Sequence, residues 1–351
     1  MAGGYKFGGN VNIGHNPSFA PQLTGSYIGN PHSNLVMGYN NNVEGNYNAV
    51  FGTLSAISGA ADSQANFVSG YQSKVAGGVA NTAIGYDCAV SGTSSYSVAL
   101  GFESKVRANS SAGVAIGYGV ASGTIAIGIG YESTGSSEGA LGIGYNAKAT
   151  AFAATAIGSE SNATATEAIG IGGTASGDKA IAIGNQATGT TTACTVIGKG
   201  TLGAGRKGGF RLNANGGASS TSSYQICQSL GATTNATPTK IYLADDNTNG
   251  NLIIDTRTCV HFEVIVQGTS PTSSTVGCIY KLEGVVNRAN SASDNPAFLG
   301  SVTKTVIHEE DAGMDAAITI NNTNKCLDLE VTGKAATNLN WLATWHLHQN
   351  E

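Results

Sequence analysis

Between Ala140 and Lys199 one short phrase keeps returning: Ala156-Ile157-Gly158, Ala168-Ile169-Gly170, Ala182-Ile183-Gly184 and Thr195-Val196-Ile197-Gly198. Glycines 144, 158, 172, 184 and 198 stand 14, 14, 12 and 14 residues apart. Such a period is too short for a domain repeat, and it marks a stack of similar coils. Each unit holds one short Ile/Val-rich run suited to a strand and one small-residue run of Ala, Thr and Ser. Gly, Asn or Asp at the corners supplies the backbone angles that tight turns require. Stacked coils pair their backbones at about 4.8 Å. Two strands per coil make a roll too thin to shelter its own apolar strip. That strip, with Ile116, Ile143, Ile157, Ile169, Ile183 and Ile197 as its core, is expected to face sister chains in a homotrimer, since homo-oligomers close by symmetry.

The unit A-I-G-x-x-A-x-A-x-G-x-x-S/A resembles the head repeat of trimeric autotransporter adhesins, a motif that bacteriophage tail fibres also carry. The match is close from Thr82 to Lys199 and looser from Val11 to Tyr71. The resemblance implies a left-handed parallel β-roll that trimerises.

The pattern extends upstream. Ile13-Gly14, Ile28-Gly29, Met37-Gly38, Phe51-Gly52 and Ser69-Gly70 are spaced 15, 9, 14 and 18 residues apart. Ile84-Gly85, Leu100-Gly101, Ile116-Gly117, Ile129-Gly130 and Ile143-Gly144 follow at steadier intervals. These add up to about fourteen coils and a shaft roughly 65 Å long. Four segments are expected: a glycine-rich attachment leader over 1–10, a β-roll shaft over 11–198, a neck over 199–223 and a head over 224–351. The neck gathers Lys199, Arg206, Lys207 and Arg211 beside Phe210 and Leu212. A small basic cluster of this kind reads as local charge balance where chains change packing, rather than a nucleic-acid patch.

From Tyr224 the apolar period becomes two. Val260, Phe262, Val264 and Val266 alternate with His261, Glu263 and Gln267. Tyr280 and Leu282, Leu327, Leu329 and Val331, and Trp341, Ala343, Trp345 and Leu347 do the same. Seven or eight such strands between Asn/Gly/Ser/Pro turns predict an antiparallel β-sandwich. The stretch Val302–Ile307, followed by Glu309-Glu310-Asp311, resembles C-terminal modules of phage tail fibres.

Composition excludes several classes. The 351 residues include 50 glycines, and only 11% are charged, with a net charge of −5. Six Lys/Arg stand against nine Asp/Glu up to Gly198, and eleven against thirteen beyond, so neither part is a basic nucleic-acid binder. The first residues show no basic region followed by an apolar segment, and no run approaches the length of a membrane-spanning helix. Membrane insertion is not expected. Cys88, Cys194, Cys227, Cys259, Cys278 and Cys326 lack metal-cluster spacing and read as reduced, partly buried thiols.

Chemistry is sparse. Aromatic residues follow the corner glycine at Tyr39, Tyr71, Tyr86, Phe102, Tyr118, Tyr131 and Tyr145; they either stack along the roll or offer rings to sugars. Asp245-Asp246-Asn247-Thr248-Asn249-Gly250 has the opening of a calcium loop, but Thr256 occupies the position of the bidentate carboxylate, so it reads as a turn. His346 and His348 share one face of a strand and form a weak metal candidate that symmetry would have to complete. His308-Glu309-Glu310-Asp311 reads as an exposed acidic turn. With Asn321, Asn322 and Asn324 it makes up the candidate receptor-binding loops. No nucleophile elbow, phosphate loop or paired-carboxylate cleft is visible, and no cofactor is expected.

The function expected is that of a non-enzymatic phage fibre or adhesin. It would attach to the tail or baseplate through its N-terminus and bind a host-surface glycan or protein receptor. It would be assembled in the host cytoplasm and carried on the virion. Three alternatives remain: a fragment of a bacterial trimeric autotransporter adhesin, a virion decoration protein, and a tailspike polysaccharide depolymerase.

Overall fold

The computed structural model describes residues 11–13, 27–28, 34–59, 63–107, 110–199, 209–213, 223–243, 252–273 and 277–350. The 1–10 leader and Asp245–Gly250 lie outside them. The chain divides into two units, Met1–Ser176 and Gly177–Glu351.

The repeat folds as an all-β solenoid of about twelve turns. Each turn of the first unit carries a longer strand, such as Thr82–Tyr86, and a shorter one, such as Ala89–Val90. Like strands of successive turns pair in parallel, with Ala99 against Ala83 on one side and Ala115 on the other. The glycine count overstates the number of turns for an identifiable reason. Ile28-Gly29 does not begin a longer strand: Tyr27–Ile28 is a short strand paired with Asn42–Val43, while Val11 pairs directly with Leu35.

What fills a turn is small. Val36, Val50 and Val68 give way to Ala83, Ala99 and Ala115 along one inner column, all fully buried. Val43, Ile57, Val75, Val90 and Val106 line the opposite strand and give way to Ala149, Ala163 and Ala175. Where turns are longer and uneven, a third inner column is polar. The Asn66 amide donates to Asn48 Oδ1 at 2.9 Å, the Asn81 amide to Asn66 Oδ1 at 2.9 Å, and the Ser97 amide to Asn81 Oδ1 at 3.0 Å. The side-chain amides reach the next turn as well, Asn66 Nδ2 donating to Gly78 O at 3.1 Å and Asn81 Nδ2 to Ser94 O at 2.7 Å. Each bond joins one turn to the next, so the ladder closes only in register. Such groups must be paired because water cannot reach them.

The recurring glycine ends the longer strand. Gly85 and Gly117 adopt φ of 134° and 129°, and a Cβ there would lie 1.8 and 1.9 Å from the carbonyl oxygens of Gly101 and Gly130 in the next turn. No side chain fits between backbones stacked at a strand spacing. After it comes a left-handed residue, and its amide donates across turns: Asp87 to Tyr71 O, Glu103 to Tyr86 O and Glu132 to Tyr118 O, at 2.7–2.9 Å.

The second unit begins with the turns at Ile181–Ile183 and Thr195–Gly198, which pair in parallel. Within the expected neck, Phe210–Asn213 is itself a strand, parallel to Thr195–Gly198 and antiparallel to Ser223–Ile226. Antiparallel pairing then runs from Ser223–Thr233 to Leu339–Asn350, Thr258–Thr269, Gly277–Arg288 and Thr303–Glu309. A second set joins Thr239–Leu243, Cys326–Thr332 and Asp315–Asn321. The apolar residues expected inside are inside: Phe262, Val264, Tyr280, Leu282, Leu329, Trp341 and Trp345 meet in one buried apolar cluster. Both indoles are satisfied there, Trp341 Nε1 donating to Thr233 Oγ1 and Trp345 Nε1 to Ser229 Oγ, each at 2.9 Å.

Two substitutions test the stacking. Gly117→Ala places a methyl group against a backbone carbonyl and is expected to cost about 3 kcal/mol or more. Asn66→Ala leaves the buried Asn81 amide without its acceptor and removes a second donor from Asn48 Oδ1 and Gly78 O, at about 1–3 kcal/mol in all. Denaturant unfolding followed by circular dichroism checks both, and wild-type midpoints would contradict this reading.

Candidate interaction face

Strand alternation that sends Ala and Gly inward sends the larger residues outward. In the first unit, Leu100, Ile116, Ile129, Ile143, Ile157 and Ile171 occupy matched positions on consecutive longer strands. Val98, Val114, Ile127, Leu141, Thr155 and Ile169 form a parallel column two residues earlier. The expected strip is therefore present, but Ile169 does not belong to its central column. Gly170 is the inward residue paired with Ala156, and Ile171 stands where Ile157 stood. The turn from Ile157 to Ile171 keeps fourteen residues, but the Ala-Ile-Gly phrase returns after twelve, so it sits two positions early and Ile169 falls in the flanking outward column beside Thr155. In the second unit Ile183 pairs with Ile197.

One margin of this face is an aromatic ladder. Tyr71, Tyr86, Phe102, Tyr118, Tyr131 and Tyr145 stack in sequence with ring centroids 4.6–5.2 Å apart and planes within 18° of parallel. Tyr39 is set apart from them, because Thr53 occupies the place between it and Tyr71. All six stacked rings are exposed. Their flat faces, however, are turned to one another, so what they present outward is ring edge and hydroxyl. That geometry favours the structural role of the ladder over sugar stacking. The neighbouring Glu132 carboxylate raises the Tyr131 phenol above its ordinary value.

The candidate loops of the second unit do not converge. His308–Asp311 and Asn321–Asn324 flank opposite ends of the Asp315–Asn321 strand. At the first end Tyr280 Oη donates to Glu309 Oε1 at 3.1 Å, and Lys334 pairs with Glu310 at 2.9 Å. Asp311 Oδ1 accepts the Gly313 amide at 2.9 Å. At the other end Asn321 Oδ1 accepts the amides of Thr323 and Asn324, a local turn that includes Asn322. Most of this polarity is spent on holding turns.

His346 and His348 do share the face opposite Trp345 and Leu347, which are buried. The structure adds neighbours that spacing did not reveal. Tyr224 Oη lies 2.5 Å from His346 Nδ1, and the His348 ring sits 4.9 Å from Tyr224 and 5.7 Å from His261. His261 Nε2 contacts Glu283 Oε1 at 3.2 Å, and Lys281 bridges Glu263 and Glu283 at 2.8 and 3.2 Å. His261 and Lys281 hold the Glu283 carboxyl below its usual range. Among the described residues no three His, Cys, Asp or Glu side chains are grouped to hold a metal.

Sequence reasoning missed the buried Asp328. It accepts from Lys240 Nζ at 2.5 Å and from Asn321 Nδ2 at 3.1 Å, and the hydrogen bond raises the pKa of the Lys240 ammonium above its ordinary value. The only sequence signal is an acid placed between Leu327 and Leu329, which alternation reads as solvent-facing. Beside it, burial and the Asp328 charge push the Cys326 thiol to about 12, and burial pushes Cys278 to about 11.

No family profile and no curated protein matches the chain. Among solved structures it is similar to the tailspike protein of Acinetobacter baumannii phage AM24, at 11% identity and a TM-score of 0.22. The alignment covers 94% of this chain, which spans 59% of the length of that one. A likeness this distant assigns no activity.

Two outcomes follow. Because raised thiol pKa values keep Cys278 and Cys326 protonated well above neutrality, a thiol reagent at pH 8 should titrate exposed Cys259 quickly and the buried cysteines only on unfolding. Asp328→Ala removes a buried charged acceptor from Lys240 and Asn321, and thermal denaturation should show a loss of about 1–3 kcal/mol. Rapid labelling of every thiol, or an unchanged midpoint, would contradict these placements.

Proposed function

We propose that the chain is a non-enzymatic structural fibre or adhesin of a phage virion that works as a homotrimer. The observation that carries this reading is the outward apolar face. Two parallel columns, mainly of Ile, Leu and Val, run along the first unit from Val98 to Ile171, while the interior of the turns is filled mostly by Val, Ala, Ser and Asn. A long, flat apolar strip is a liability unless another surface covers it. Three copies around one axis cover it with a single self-consistent contact. The resemblance of the repeat to adhesin heads and phage tail fibres points the same way.

In this reading the solenoid is the shaft, and the second unit, as a β-sandwich, is the head that carries receptor-contacting loops. The N-terminus attaches to the tail or baseplate, and the head meets a glycan or protein on the host surface. Contacts repeated on three chains strengthen one another through effective concentration. The protein is assembled in the host cytoplasm and acts on the virion outside it. No catalytic role is proposed, because carboxylates such as Glu309 and Glu310 are engaged with Tyr280 and Lys334.

Two measurements test the reading. Ile143→Asp alters the outward strip but not the interior, so it should leave the β-sheet circular dichroism intact and reduce the solution mass to one third. Incubation with host-surface polysaccharides should give binding without release of reducing ends. Sugar release, or an unchanged mass in the variant, would overturn the corresponding half of the proposal.

A further inference from the structure

The strip has a second margin, and it is built unlike the first. Just before each longer strand stands a corner residue with a left-handed backbone, whose amide donates to the preceding turn. Examples are Tyr96 to Val79 O, Ala112 to Ser95 O, Ile125 to Ser111 O and Ala153 to Glu138 O. At most turns this residue is Ala, as at Ala65, Ala80, Ala112 and Ala153, or Gly139. At three turns it is instead bulky and apolar, Tyr47 at φ 59°, Tyr96 at φ 58° and Ile125 at φ 51°, and towards the end of the repeat Glu167 and Lys179 hold the same corner. Phe152 adds a fourth projection one position earlier in its own turn. These four side chains are 63%, 68%, 57% and 52% exposed.

Their placement is costly on both counts. A β-branched residue in the left-handed region is an outlier, and this corner is otherwise filled by Ala, Gly or a charged residue that reaches into water. Nothing within the turn requires the bulk, because it points to solvent. Strain kept at an exposed apolar side chain directs attention to what the side chain touches.

We infer that this margin docks against the aromatic-ladder margin of a second copy of the chain, so that Tyr96, Ile125 and Phe152 of one protomer meet the Tyr86–Tyr145 ladder of the next. The inference rests on the trimeric reading and specifies its contact. Two features argue for this occupant. The margins differ, one a continuous stack of rings and the other a row of separated knobs. Unlike edges join head to tail into a closed ring, whereas a two-fold contact would set each edge against itself. Area points the same way. The two central columns run over six strands, about 25 Å, and the margins on either side widen the face to about 20 Å, which gives roughly 500 Å² in projection, towards the ~800 Å² that each partner contributes in a stable complex.

Cysteine pairing tests the contact. Ile125 and Tyr131 lie in one turn, separated by extended chain of about 20 Å, too far for a disulfide within one molecule. In a parallel ring they stand at the same height on facing margins. In a Cys259→Ser background, Ile125→Cys combined with Tyr131→Cys should oxidise to covalent species of up to three chains, while each single variant stays uncrosslinked. Crosslinking of a single variant places like margins together and overturns the proposal. So does a double variant that stays uncrosslinked while light scattering reports a trimer. A monomeric mass for the unmodified chain would instead remove the trimeric reading itself. Ile125→Gly supplies an independent check. Relief of backbone strain alone predicts a more stable assembly, whereas loss of a contact predicts an assembly that dissociates at about tenfold higher concentration.

Discussion

The structure depends on how closely one turn of backbone can lie on the next. At the end of most longer strands, as at Gly85, Gly117 and Gly130, the carbonyl of the following turn occupies the space where a Cβ would be, so glycine is the residue that fits. That approach makes the hydrogen-bond ladders continuous, and it sets the thickness of the roll. A roll this thin has room inside for Val, Ala and Ser but not for paired rows of Ile. The pleat then leaves the larger apolar residues no place except the outside.

Within a single chain an outward apolar strip is a liability, and in the proposed trimer it would be the seam. The aromatic ladder along one margin and the bulky left-handed corners along the other give the strip two distinct edges. The ladder spends its ring faces on itself, which stiffens the margin. It presents a row of hydroxyls and ring edges to whatever lies beside it.

Much of this was legible in the sequence, since the Ile-Gly phrase reports the stacking, and the change to a period of two at Tyr224 marks the second unit's core. The misreadings are equally physical. Ile28-Gly29 copies the phrase but belongs to the shorter strand, because a long turn between Val11 and Leu35 displaces it. Ile169 copies the phrase too, yet the phrase arrives two residues early within a full fourteen-residue turn, which puts it in the flanking column. The asparagine ladder from Asn48 to Asn81 escaped notice because Asn was credited to corners, and only the three-dimensional path of the turn brings those side chains inside. Asp328 escaped for a related reason: alternation assigns a face to a residue but not what covers that face.

Solution mass, measured by light scattering on the full chain, is the most direct test of the claim that sister copies cover the strip. A species near three times 35.3 kDa that persists on dilution is the expected result. A stable, well-folded monomer at 35.3 kDa, with its isoleucine columns open to water, would contradict the account.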